Sequence, residues 1–256
     1  MKHITLTTDK LTTKIYPTVE EMGAGAAQEA ADRICTLLEE KEEVNIIFAA
    51  APSQNAFLEA LIADKRIDWS RINAFHMDEY IGLAADAPQG FGNFLRARIF
   101  DRVPFKQVYY INGGAEDLDA ECERYTALLN EHPTDVVCMG IGENGHIAFN
   151  DPHVALFDDP KSVKVVSLDE MCRQQQVNDK CFETIEQVPT HALTLTIPTL
   201  MRPEWVFCIV PYTGKANAVK ATVEGAICEK CPASILRTKE KSCLYLDAAS
   251  ASKLNC

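Results

Sequence analysis

The chain has 256 residues, 47% hydrophobic and 24% charged, with a formal net charge of -12. That length and balance fit one ordinary globular domain spanning 1–256. The acidity argues against a surface built to grip the nucleic-acid backbone, and no apolar run is long enough to suggest a membrane span.

The first nine residues, Met1 to Asp9, lack the apolar core and small-residue cleavage site of a secretory signal. From there, short runs rich in Val, Ile and aromatics alternate with longer segments of helical apolar spacing. Strands are expected at 44–50, 72–76, 108–111, 135–139, 163–167, 192–196, 205–210 and 243–246. Helices are expected at 18–40, 53–63, 90–100, 115–130 and 214–224. The alternation predicts an α/β fold, a Rossmann-like, open, parallel-dominated sheet with helices on both faces. No repeat or long linker divides the chain.

Ten cysteines are scattered through the sequence, several inside apolar runs, as expected of reduced thiols in a cytoplasmic protein. The close pair Cys228-Glu229-Lys230-Cys231 has no second pair to complete a zinc site and reads as structural.

Ligands in such sheets bind at the carboxyl ends of strands, so four loops draw the search for chemistry. Met139-Gly140-Ile141-Gly142-Glu143-Asn144-Gly145-His146-Ile147-Ala148-Phe149-Asn150-Asp151-Pro152 contains a formal G-x-G-x-x-G. The fingerprint requires a helix after its third glycine, whereas Asn150-Asp151-Pro152 breaks the chain there, which argues against a dinucleotide. Its concentration of His146, Asn144, Glu143 and Asp151 suits a positioned acid or base better.

A second loop, around Phe75-His76-Met77-Asp78-Glu79-Tyr80, places two carboxylates side by side at a strand end. Neighbouring strand residues face opposite ways, so Asp78 and Glu79 are expected to have different environments. The other two loops, Ala49-Ala50-Ala51-Pro52-Ser53-Gln54 and Pro211-Tyr212-Thr213-Gly214-Lys215, lead from strands into helices and offer a hydroxyl, N–H groups and a lysine to an anion. Neither has the glycines of a nucleoside-triphosphate loop, so a single phosphate is the better fit.

Two of these motifs, Met77-Asp78-Glu79-Tyr80-Ile81-Gly82-Leu83 and Gly142 through Pro152, together with Gly214-Lys215-Ala216 and Val223-Glu224-Gly225, resemble the glucosamine-6-phosphate deaminase/isomerase family. The resemblance implies metal-free and cofactor-free conversion of glucosamine 6-phosphate and water to fructose 6-phosphate and ammonia. It implies that Asp78 moves the C2 proton to C1, that His146 opens the ring with Asn144, Asp151 and Glu79 around it, and that Ser53, Ala51, Arg173 and Lys215 hold the phosphate. The partner so implied is a small sugar phosphate, with a homo-oligomer compatible and neither nucleic acid nor membrane involved.

Three positions depart from the family pattern. Asn144 stands where many members carry aspartate; Asp151, where many carry glutamate, can call for a bridging water to reach His146. Ala50-Ala51-Pro52-Ser53-Gln54 replaces a Thr-Gly-Ser-Thr-Pro stretch, which keeps galactosamine 6-phosphate as an alternative substrate. Less favoured are 6-phosphogluconolactone hydrolysis, whose enzymes carry a different sequence after the Gly-His, and a non-catalytic sugar-phosphate sensor.

Overall fold

A computed structural model describes residues 2–255. The chain opens with a hairpin, β1 (Ile4–Thr8) and β2 (Leu11–Tyr16), whose two strands pair antiparallel across a turn in which Asp9 takes φ +52°. Helix α1 (Val19–Glu40) starts where Thr18 accepts the Glu21 N–H and where Glu20 and Glu21 complement the helix dipole. It buries Met22, Ala26, Ala30, Ile34 and Leu37, one apolar stripe at helical spacing.

Then follow β3 (Val44–Phe48), α2 (Asn55–Ala63), β4 (Ile72–His76), the short β5 (Asp78–Tyr80), α3 (Phe91–Leu95), which runs on into a π-turn, and β6 (Gln107–Tyr109). The second half comprises α4 (Leu118–Glu131), β7 (Val136–Met139), β8 (Val163–Ser167), α5 (Glu170–Asn178), β9 (His191–Leu195), α6 (Ile197–Met201), β10 (Trp205–Val210), α7 (Ala216–Glu224) and β11 (Ser242–Asp247).

The main sheet has the order β1-β2-β11-β10-β7-β3-β4-β6 and is parallel apart from the β1–β2 hairpin. Its central strands are buried along their whole length, as strands covered on both faces must be. Alternate residues feed two cores. Ile46, Phe48, Val136, Cys138, Phe207 and Ile209 pack with α1 and α2 on one side, while Ile47, Val137, Met139, Val206 and Cys208 pack with α4 and α7 on the other.

The strand order reverses between β3 and β7, which are neighbours in the sheet but whose next strands in that sheet, β4 and β10, lie on opposite sides. A switch point of this kind opens a crevice at the carboxyl ends of the two strands.

The expected α/β architecture is therefore present, with two corrections. The runs read as parallel strands at 163–167 and 192–196 lie instead, as β8 and β9, in a separate antiparallel sheet of order β5-β9-β8. The segment around Asp78, read as a loop, is its short third strand, tied by the Leu195 N–H to the Met77 carbonyl just ahead of it. Among the described residues the nine cysteines are free thiols; Cys256 lies outside them. No described helix is long and apolar enough to cross a membrane.

Candidate active site

The loops after β3 and β7 and the step from β4 to β5 converge on one cleft at the switch point. Its lining includes Ala51, Ser53, Gln54, Asp78, Gly142, His146, Gln175, Gln176, Asp179 and Lys215. Its free space is about 60 Å³.

Asp78 sits on the cleft side of β5, only 6% exposed. Burial, and then the like charge of Glu79, hold its pKa well above the ordinary aspartate value. Glu79 points the other way. Its two oxygens accept the N–H groups of Tyr80 (2.9 Å), Phe91 (2.9 Å) and Gly92 (2.8 Å), so it serves as a carboxylate cap on the start of α3. The alternation expected of neighbouring strand residues thus separates the two carboxylates, and Glu79 does not line the cleft.

What fixes Asp78 is a histidine that the sequence did not single out. His76 Nε2 accepts the Ile111 N–H (2.9 Å), which leaves its Nδ1–H to donate to the Asp78 carbonyl (2.9 Å). Fully buried, the ring is held neutral, with its pKa pushed down to about 4. Tyr125 secures the same turn by donating to the His76 carbonyl.

His146 follows the tight turn at Gly145 (φ +86°), a backbone conformation suited to glycine. The glycine-rich segment does not open a helix. Instead Ile147 bridges to Asn150, and Ala148 takes the strained φ of +47°. His146 Nδ1 stands 3.0 Å from Asp151 Oδ1, a direct contact where a water could have been needed. The ring is angled so that no aligned N–H···O bond forms, and Nδ1 is a buried polar atom without a hydrogen-bond partner.

Asn144 organises this cluster. Its amide donates to Asp151 Oδ1 and to Asp169 Oδ2, both at 2.9 Å, and its carbonyl oxygen accepts the His146 backbone N–H at 3.0 Å. It therefore positions Asp151 rather than the imidazole itself. Burial raises the Asp151 pKa, but the His146 contact and the Asn144 donor outweigh it and hold the carboxyl below its usual value.

At the other end of the cleft, Pro52 begins a 3-10 turn that leads into α2, with Ser53 and Ala51 in the lining. Lys215 arrives after a turn in which Tyr212 takes φ +79°, held by its N–H to Asp247. Burial lowers the Lys215 pKa, with Asp179 and Glu143 pulling against it. Arg173 is not in the lining. Its guanidinium donates to the Ile185 carbonyl at 2.6 Å and to the Val188 carbonyl at 3.0 Å.

The family model for glucosamine-6-phosphate isomerases/6-phosphogluconolactonase matches residues 17–245. A curated glucosamine-6-phosphate deaminase from Listeria innocua is 36% identical over 212 residues, 83% of this chain and 88% of that protein. The chain belongs to the glucosamine-6-phosphate isomerase/6-phosphogluconolactonase family.

A solved structure described as a monomeric glucosamine-6-phosphate deaminase superposes with a TM-score of 0.86 and 31% identity, covering 94% of this chain and 98% of the other. A Thermotoga maritima 6-phosphogluconolactonase shares the fold at TM-score 0.74 and 19% identity, covering 92% and 99%. Both branches of the family are thus represented among the structural neighbours, and the cleft residues have to discriminate between them.

One glycine of this family member is fixed by the site itself. A Cβ on Gly142 would stand 2.1–2.4 Å from the His146 ring atoms. Gly142→Ala is expected to keep the fold and to displace the imidazole, lowering turnover up to about a hundredfold, the scale of a misplacement of about 1 Å. Steady-state rates together with a melting curve check this; wild-type turnover would show that the ring position does not matter.

Proposed function

We propose that this chain catalyses the aldose-ketose isomerisation and deamination of an aminosugar 6-phosphate, with glucosamine 6-phosphate and water giving fructose 6-phosphate and ammonia. The observation that carries the reading is the presence of a desolvated carboxylate, Asp78, in the same cleft as His146, with Lys215 and Ser53 also in the lining. A lactonase needs no base at the second sugar carbon. The step from Gly145-His146 into Ile147-Ala148-Phe149-Asn150-Asp151 likewise lacks the sequence lactonases usually carry there.

In this mechanism His146, held over Gly142 and backed by Asp151, moves the proton that opens the pyranose ring. Asp78 then takes the C2 proton of the open-chain sugar and returns it to C1, which converts the amine-bearing C2 to an imine. Water adds to that carbon, and ammonia leaves as the ketone forms. Partial desolvation raises the basicity of Asp78, while His76 keeps its backbone fixed; both favour proton transfer to a positioned base.

The phosphate is assigned to Lys215, Ser53 and the N–H groups near Ala51, where cation, hydroxyl and helix start supply complementary charge. Arg173 would join them only by giving up its two carbonyl partners. The cytoplasm, inferred from the cysteines, remains part of the same proposal.

A pH profile probes the base. Asp78 acts when ionised, so kcat/KM should fall as pH drops through a midpoint above the ordinary aspartate range. Glu79→Gln removes the neighbouring negative charge and should move that midpoint down; an unmoved acid limb would separate it from Asp78.

The overall reading is tested by an ammonia assay with glucosamine, galactosamine and N-acetylglucosamine 6-phosphates, run beside hydrolysis of 6-phosphogluconolactone. Ammonia from glucosamine 6-phosphate is expected. Lactone hydrolysis without ammonia would reject the proposal.

A further inference from the structure

Three metal-ligating side chains of different type meet beside the cleft: a ring nitrogen of His146, a carboxylate oxygen of Asp151 and Cys172 Sγ, all within 4.8 Å of one another. They are 8%, 0% and 1% exposed. Two come from the loop after β7, whereas Cys172 is brought in by α5, where Asp169 accepts the Cys172 N–H as the helix N-cap. The Nδ1 atom is buried with no hydrogen-bond partner and stands 3.0 Å from Asp151. Asp151 is itself fixed by the Asn144 amide and the Asp169 N–H.

We propose that His146, Asp151 and Cys172 form an inhibitory site for a thiophilic divalent cation of the zinc class. Imidazole, carboxylate and thiolate are the ligand set that such ions select over magnesium or calcium. Ligand atoms of a tetrahedral zinc lie about 3.3–3.6 Å apart, from bonds of about 2.0–2.3 Å, so an inward shift of the thiol completes three protein positions. Water supplies the fourth position.

Binding replaces the thiol proton, which leaves to solvent, and uses the lone pair of Nδ1. The ring is then held by the ion and no longer free to serve the proton relay. The ion thus switches off the group that the mechanism requires, without occupying the phosphate end. Cys172 has no part in the proposed reaction, so its loss should remove the inhibition and leave the basal rate.

The test uses the full chain with Zn2+ or Co2+ alone, followed by calorimetry and by sulfur-to-cobalt charge-transfer absorption, with ammonia release measured in parallel. One bound ion per chain, a charge-transfer band and inhibition reversed by a chelator are expected; Mg2+ should do nothing. Cys172→Ala, and Cys172→Ser as the variant of nearly equal size, should lose the band and bind zinc at least about tenfold more weakly.

A band and affinity unchanged in both variants, or lost instead in Cys231→Ala, would overturn the site. So would the absence of any band in the wild-type chain. The optical and calorimetric readouts do not depend on turnover, so failure of the deaminase reading would be seen separately.

Discussion

Asp78→Asn is expected to lower ammonia release from glucosamine 6-phosphate by about a hundred- to ten-thousandfold, the range typical of losing a positioned acid or base. The amide keeps the volume but cannot take a proton from carbon. Binding of the sugar phosphate should change little, because Lys215, Ser53 and the turn at Ala51 remain.

The same substitution should leave the fold more stable at neutral pH. An aspartate whose pKa is raised on folding binds more protons in the folded state. Its contribution is therefore fully present below the unfolded pKa and is lost as pH rises through the folded one. Removing the charge relieves that loss. A thermal melt beside the rate assay separates this outcome from simple unfolding, which would lower both; activity close to wild type would remove Asp78 from the chemistry.

His146→Gln should divide the substrates. Turnover of the cyclic sugar is expected to fall about a hundredfold or more, while an acyclic analogue that needs no ring opening should be nearly unaffected. The contrast matters because Asp151, fully buried, loses the imidazole contact at 3.0 Å while keeping its Asn144 and Asp169 donors, so the substitution can also disturb the packing of this cluster. Damage to the fold would lower both rates together. Equal losses on the two substrates would therefore withdraw the ring-opening role.

Much of this site was legible in the sequence for a physical reason. Continuous apolar runs marked β3, β4, β7 and β10, and in an open sheet chemistry gathers at strand ends, so the loops at Ser53, Asp78, His146 and Lys215 could be named in advance. Alternation in an extended chain foretold that Asp78 and Glu79 would part. It did not say that Glu79 would cap α3, because that partner lies twelve residues away across a turn.

Other features left weaker traces. The β1–β2 hairpin is rich in threonine and largely solvated on one side, so it lacked the apolar run that identified the central strands. β8 and β9 had such runs, but periodicity does not encode which sheet a strand joins. His76 looked like the end of a buried strand, since its role rests on one proton between Ile111 and the Asp78 carbonyl. Arg173 was named only by resemblance, and the direction of a long guanidinium on α5 is decided by nearby carbonyls, here those of Ile185 and Val188.

The most direct measurement follows deuterium from C2-labelled glucosamine 6-phosphate through the wild-type and Asp78→Asn proteins by NMR. The label should leave C2 in the wild-type reaction, appear partly at C1 of fructose 6-phosphate with the rest in water, and stay at C2 in the variant. Release of the C2 label by Asp78→Asn at the wild-type rate would contradict the account.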